Sequence, residues 1–402
     1  MKKLWVFIAI IALLTACSPK EPTETIFKGT LYFGGYVSFA GNGIIEAGNG
    51  PMRFSDLSGD GAIVLCDKPD CKHEPATIKN PTPTCLAQTD LVEGQKKMII
   101  YQNHQILIRG IEGEPMATRV YTADINGENR KKVADIPNAL NILSAAIRGD
   151  TLVLAYQNSY EVNEAGLFDK LEKDFAGISI VNMKTRNVKN LIAKEGYSVS
   201  IDSLWLDDKY VGYSTSQTER PFEEYYGKEF DGDYANLTPE MMQNAAVEAE
   251  QGIRYNTYLY DVSANVETEI WNSNGRYTNG SFADGYWVTT DGEKATLTPL
   301  NGEESIKLKQ PTSDDFSPLK ADEGLYFNSW KDDVYTYYSC DKSKFTEIGH
   351  ADFSVATIIN NVVYASRSGG EFAYGYLPLD NFKAAKFDAF KVLIYPNRKW
   401  VG

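Results

Sequence analysis

One pattern constrains this chain more than any other. It is a polar turn set between short runs of alternating aromatic and β-branched residues, and it recurs along the sequence. In residues 255–271, Tyr258, Tyr260 and Val262 alternate with other residues, Ser263-Ala264-Asn265 interrupts, and the run resumes at Val266. Period-2 alternation around turn formers is the pattern of an antiparallel hairpin. Copies follow at 295–308 with Asn301-Gly302 at the turn and at 335–348 with Asp341-Lys342-Ser343. A looser copy at 372–387 has Asp380-Asn381 at its centre.

A second hairpin precedes each copy. Its turns are Asp284-Gly285, Glu323-Gly324 and Asn360-Asn361, followed by Tyr286-Trp287-Val288, Leu325-Tyr326-Phe327 and Val362-Val363-Tyr364. Asn, Gly and Asp suit these places because tight hairpin turns need positive φ. The turns fall about 40 residues apart, the spacing of four-stranded blades. Further turns at Asn103-His104, Gly149-Asp150 and Asp207-Asp208 extend the series upstream, and residues 30–65 supply a first unit. The expected fold is all-β, a β-propeller built by radial repetition. Seven blades are expected, with six or eight as alternatives; a β-sandwich shares the strand spacing and is the competing architecture. Closing the ring requires 384–395 to pair with a strand near the amino terminus. Residues 164–175, rich in charge, read as a short helix-like insertion.

The turn-to-turn spacing leaves excess chain at 217–253. Thr238-Pro239-Glu240 gives a cap, a proline at the first helical position and an acid in the first turn. A helical run to Gln251 is stopped by Gly252. The stretch before it is acidic and aromatic. Since insertions in repeat folds project from one face, Phe222, Tyr225, Tyr226, Asp231 and Asp233 are candidate ligand-binding residues. A plain surface loop is the other reading.

The amino terminus is not part of this pattern. Lys2 and Lys3 precede an apolar run from Leu4 to Leu14, too short for a comfortable membrane span, which Leu14-Thr15-Ala16-Cys17 closes. These residues match a lipobox, and the segment resembles a bacterial lipoprotein signal peptide. The resemblance implies cleavage before Cys17, a diacylglyceryl group on its thiol, and anchorage in the cell membrane on the extracytoplasmic face. An ordinary cleaved signal with a chance cysteine is the alternative. The expected organisation is a signal peptide at 1–16, a lipidated tether at 17–25 and one propeller domain at 26–402.

Against 40 basic residues stand 54 acidic ones, a net charge of −14, and removal of Lys2 and Lys3 makes it more negative by two. Such a surface disfavours nucleic acid and keeps a secreted chain soluble. With 25 tyrosines and 12% aromatic residues, a core forms without many disulfides.

Cys66, Cys71, His73 and Cys85 lie in a proline-rich loop that cannot be helical. Two readings stay open. Three thiols and an imidazole are the ligand types of a tetrahedral zinc site. An oxidising compartment makes a single local disulfide the alternative. Either way the loop gains a tie and the role is structural. Cys340, the one other cysteine past Cys17, takes an apolar repeat position and reads as a core residue. The stretch Leu65-Cys66-Asp67-Lys68-Pro69-Asp70-Cys71-Lys72-His73 resembles a motif of uncharacterised Gram-positive surface lipoproteins with propeller folds, a resemblance that implies no activity.

Gly-x-Ser-x-Gly, His-Glu-x-x-His and phosphate-binding glycine loops are absent from the sequence. Three histidines, His73, His104 and His350, leave little for general base catalysis. The leading expectation is therefore a non-enzymatic surface lipoprotein. Its propeller would bind a protein partner or small ligand, with no cofactor beyond a structural zinc. The alternative is a propeller hydrolase or lyase that cleaves extracellular polysaccharide with paired carboxylates.

Overall fold

The computed structural model describes residues 31–394 except 35–36, 41–42, 47–50, 60–61, 67, 75–76, 78, 80–83, 86, 88–96, 102–103, 112–113, 125–127, 138, 140, 163–167, 227–236, 275–278, 313–314 and 368–372. The segment that carries the lipobox and the turn residue Asn103 lie outside them. Among the described residues no helix is long and apolar enough to cross a membrane.

Five short strands come first: β1 (Leu31–Gly34), β2 (Val37–Ala40), β3 (Gly43–Glu46), β4 (Arg53–Asp56) and β5 (Ile63–Val64). An antiparallel sheet follows, of β6 (Lys97–Tyr101), β7 (His104–Ile111), β8 (Glu114–Asp124) and β9 (Lys131–Pro137). Next are β10 (Asn141–Arg148), β11 (Thr151–Val162), β12 (Phe168–Asn182) and β13 (Val188–Leu206). Strand β13 is long enough to serve two neighbours. Its first half pairs with β12, from Val188 to Gly196. Its second half pairs with β14 (Tyr210–Thr218), which continues into β15 (Arg254–Asp261) and β16 (Val266–Asn274).

Three more four-stranded antiparallel sheets complete the chain. They are β17 (Asn279–Ala283), β18 (Tyr286–Thr290), β19 (Lys294–Pro299) and β20 (Ile306–Lys309); β21 (Asp315–Pro318), β22 (Leu325–Lys331), β23 (Val334–Cys340) and β24 (Phe345–Ala351); and β25 (Phe353–Ile359), β26 (Val362–Arg367), β27 (Ala373–Pro378) and β28 (Lys391–Ile394). Because β1 pairs with β10 and β13 bridges two units, the strands outside the four-stranded sheets join into one sheet of twelve. Helix is confined to α1 (Pro239–Gly252), α2 (Leu379–Lys383) and two 3-10 turns among the described residues, so the fold is nearly all β.

Burial falls toward the outer strand in the units that end in β16 and β20. In β18 four of five residues are buried, whereas β16 and β20 have no buried position. This gradient belongs to sheets standing side by side around an axis, with outer strands facing water. Hairpin turns take the expected geometry: Asp284 and Gly285 have φ of 47° and 76°, and Asn360 and Asn361 have 51° and 60°. Outer turns use an aspartate instead. Asp261 Oδ1 accepts the backbone N–H groups of Ser263 and Ala264 at 2.9 and 2.8 Å, which holds its carboxyl down at about 2. Asp341 repeats the arrangement with Ser343 and Lys344.

Three expectations need correction. Of the expected helical insertion at 164–175, residues 168–175 are strand, not helix, because they extend the β11–β12 hairpin arm in which Tyr160 pairs with Lys170, and 164–167 lie outside the described residues. Asp380-Asn381 sits inside α2, not at a hairpin turn. Strand β28 pairs with β27 and not with an amino-terminal strand, and no sheet closes among the described residues. The last sheet meets the first strands through side chains instead. Tyr376 Oη donates to Leu57 O, and Ile44, Tyr364, Tyr376 and Leu393 share one buried cluster.

Candidate active site and metal-ligand cluster

Successive inner segments touch end to end. Ala321 bridges in parallel to both Ala283 and Ile358, Asp322 N donates to Ile358 O at 3.1 Å, and Ile358 N donates to Lys320 O at 2.9 Å. This packing brings the first-hairpin turns of several units to one end of the molecule. They surround a cavity of about 400 Å³ whose lining includes Arg148, Trp205, Asp207, Asp322, Glu323 and Asn360.

Charge is organised around this cavity. Arg148 grips Asp208 with two parallel bonds, Nε to Oδ1 at 2.7 Å and Nη2 to Oδ2 at 3.1 Å. The paired guanidinium holds the Asp208 carboxyl below its ordinary range. Asp322 moves the other way. Burial pushes it up to about 6, against the attraction of Lys320 and Arg148. Lys320 turns its ammonium inward, donating to Leu204 O at 3.0 Å, and burial pulls it down to about 7. Asp322 and Arg148 line the cavity, whereas Asp208, the partner of Arg148, is outside that lining and 86% exposed. A carboxyl raised by burial in a cleft is suited to act as a general acid.

Sequence reasoning missed Arg148, Lys320 and Asp322. It located the turns beside them, at Gly149-Asp150 and Glu323-Gly324, but treated those turns only as evidence for strands. Charged residues next to inner-hairpin turns were the available signal, since radial repetition gathers such turns around one axis.

The predicted ligand-binding residues lie elsewhere. Asp207 and Thr218 flank the two ends of β14, so the insertion and the cavity are separated by the length of a nine-residue strand, about 30 Å. Phe222, Tyr225 and Tyr226 belong to a 3-10 turn; Asp231 and Asp233 lie outside the described residues. Tyr225 is buried against Ala245 and Ala249 of α1, with the Arg220 guanidinium 4.3 Å from its ring centre. Thr238 caps α1, its Oγ1 accepting Met241 N at 3.1 Å. Lys170 on the β11–β12 arm pairs with Glu223 and joins the arm to this insertion.

Cys66, Cys71, His73 and Cys85 do converge. One ligand atom from each lies within 4.8 Å of the other three, and His73 Nδ1 stands 3.3 Å from Cys85 Sγ. Cys66 and Cys85 are buried beside Met52, Phe54, Leu65 and Ala87. The three cysteines form no disulfide, and burial pushes the Cys85 thiol up to about 12, with Cys66 and Cys71 adding to the rise. Cys340 stands apart, packed with Phe327 and Phe345 in another core cluster.

No family model matches this chain, and no curated protein matches its sequence. Solved structures do resemble it. The tricorn protease aligns with a TM-score of 0.51 and 11% identity, over 94% of this chain and 36% of that one. A prolyl endopeptidase aligns at 0.49 and 10% identity, covering 94% and 53%. An oligogalacturonate lyase in complex with manganese aligns at 0.45 and 9%, covering 74% and 75%. With the tricorn protease match, the fold is nearly all β and propeller-like, and the chain spans only part of the two peptidases. The tricorn protease match corrects the leading functional expectation. This architecture is carried by an enzyme, so the fold gives no ground for a purely non-enzymatic binding platform.

Proposed function

We propose that this chain is an extracytoplasmic propeller enzyme that cleaves extracellular polysaccharide by carboxylate acid–base chemistry, as a hydrolase or a lyase. The observation that carries this reading is the cavity itself, where the half-buried carboxyl of Asp322, pushed up to about 6, faces the same space as Arg148, Asp207 and Glu323. Asp322 protonates the glycosidic oxygen or takes a proton from the sugar ring. Asp207 or Glu323, which line the same cavity, serves as the base or nucleophile. Arg148 also supplies positive charge for an acidic sugar. The absence of serine-nucleophile and zinc-protease motifs from the sequence favours carboxylates over peptidase machinery.

The test is a screen of the purified chain against neutral and uronate-containing polysaccharides, following new reducing ends and the ultraviolet absorbance of unsaturated ends. Asp322→Asn should lower the rate about 10²–10⁴-fold with the fold intact by circular dichroism. An Asp322→Asn protein as active as the wild type would overturn the assignment.

The reading includes seven blades around this cavity, the ring closing by packing between β25–β28 and β3–β4. It also includes an insertion at 217–253 that offers Tyr226 and its acidic neighbours to a partner on the opposite face. The lipobox supports cleavage before Cys17 and a lipid anchor in the cell membrane, through the tether at 17–25. Cys17→Ala should leave the precursor uncleaved or release the protein; membrane fractions after expression in a lipoprotein-processing host give the answer. Processed, membrane-bound Cys17→Ala protein would refute the anchor.

A further inference from the structure

We propose that Cys66, Cys71, His73 and Cys85 bind one zinc ion in a closed tetrahedral site that fastens the first strands to β8. Four independent features of the loop converge on this assignment.

The first is number. A disulfide uses two sulfurs and needs no partner beyond them. Here three sulfurs and an imidazole nitrogen come together, each within 4.8 Å of the rest. That is the ligand count and chemistry of a Cys3His zinc site. Bonds of about 2.3 Å to sulfur and 2.0–2.1 Å to nitrogen imply tetrahedron edges of about 3.5–3.8 Å. The His73 Nδ1 to Cys85 Sγ separation of 3.3 Å is already that short.

The second is backbone conformation. Asp70 and His73 adopt φ of 58° and 53°, a left-handed geometry uncommon for residues other than glycine. Strain of this kind persists where surroundings over-determine it. In this conformation His73 Nδ1 lies beside Cys85 Sγ.

The third is placement. Cys66 and Cys85 are buried in a cluster with Ile45 of β3, Phe54 of β4 and Ala123 of β8, and Tyr121 packs against it. Strands β1–β5 are no longer than four residues each, so this unit has few ladder bonds of its own. Metal ligation adds folding free energy where such a loop lacks a core.

The fourth is charge. Three thiolates and neutral imidazole around Zn²⁺ leave one net negative charge. Lys68 and Lys72 line the same depression together with Asp70 and Glu74, and Lys68 Nζ donates to Thr84 O. With all four positions taken by protein atoms, the ion has no open place for water, which makes the site structural rather than catalytic.

Binding follows a balanced proton count. Three thiols lose three protons to solvent as Zn²⁺ enters, and no oxidant or reductant is involved. This proposal stands apart from the acid–base cavity, and a chain inactive on every polysaccharide would leave it untouched.

The experiment is metal analysis of the full chain purified without added zinc or chelator, with thiol titration under denaturing conditions. The expected result is one zinc per chain, with Cys66, Cys71, Cys85 and Cys340 all titrating as thiols. Replacing zinc with cobalt should give the intense visible bands of tetrahedral cobalt thiolate. His73→Gln, which keeps every cysteine, should shift those bands, and Cys340→Ser should leave them unchanged. Cobalt spectra of the wild type keep the test valid should a ligand variant fail to fold. Loss of two thiols to a disulfide, absence of the cobalt bands, or an identical spectrum in His73→Gln would each overturn the proposal.

Discussion

Lys320 and Asp322 lie two residues apart and titrate toward each other, and this has a consequence for stability. Asp322 is raised from 3.8 to about 6 in the folded chain. Its contribution is fully present below pH 3.8 and is lost as pH rises through 6. Lys320 is lowered from 10.5 to about 7. Its contribution is present above pH 10.5 and is lost as pH falls through 7. The two together place the pair's least favourable point between pH 6 and 7. Lys320→Met should therefore abolish the gain in stability on going from pH 7 to 10, relative to wild type. It should also move the Asp322 titration above 6, since the ammonium no longer attracts the carboxylate. Urea denaturation across this pH range measures the first effect and carboxyl NMR the second. An unchanged alkaline slope in Lys320→Met would show that the buried amine is not its source. None of this was legible in the sequence, where 54 acidic residues offer many pairs and only tertiary packing chooses among them.

At the scale of strands and turns the sequence was a far better guide. Hairpins at Gly149-Asp150, Asp207-Asp208, Asp284-Gly285, Glu323-Gly324 and Asn360-Asn361 all lie where the turn chemistry put them. The reason is physical: positive φ and period-2 burial are local demands that the residues themselves must meet. The misreadings occurred where local preference and pairing disagree. The charges at 169–174 suit a helix surface, yet β11 supplies a partner and the segment extends the sheet. The turns also allow a graded test. Gly149 has φ of 55° and open space where a methyl group would sit, whereas at Gly324, with φ of 79°, a Cβ would meet the Tyr326 ring at 2.7 Å. Gly149→Ala should cost about 1–2 kcal/mol from the left-handed backbone alone. Gly324→Ala adds about 1–3 kcal/mol for pushing a packed ring, because Tyr326 is buried against Phe382. Equal denaturation midpoints for the two variants would mean that Tyr326 moves aside freely.

Over the whole molecule, the decisive feature is how the first and last described strands hold together. Sequence reasoning expected strand pairing, but backbone pairing of β28 is satisfied within its own sheet. What joins β25–β28 to the first strands is side-chain burial around Tyr364, which is fully buried and whose hydroxyl bonds to the backbone at Gly43. Such a contact couples distant parts of the chain only if it contributes enough to make them unfold together. Tyr364→Ala removes a large aromatic side chain and leaves a cavity at this junction, which should cost about 3–5 kcal/mol. If the junction makes one cooperative ring, that loss appears as a lower midpoint for the whole transition. Hydrogen exchange in β3, β4 and β25–β28 then rises together. If the first strands are an appendage, exchange rises in β3 and β4 alone while the midpoint of the remaining sheets stays at the wild-type value. Hydrogen-exchange mass spectrometry on the two proteins distinguishes these outcomes, and the second would refute ring closure through Tyr364.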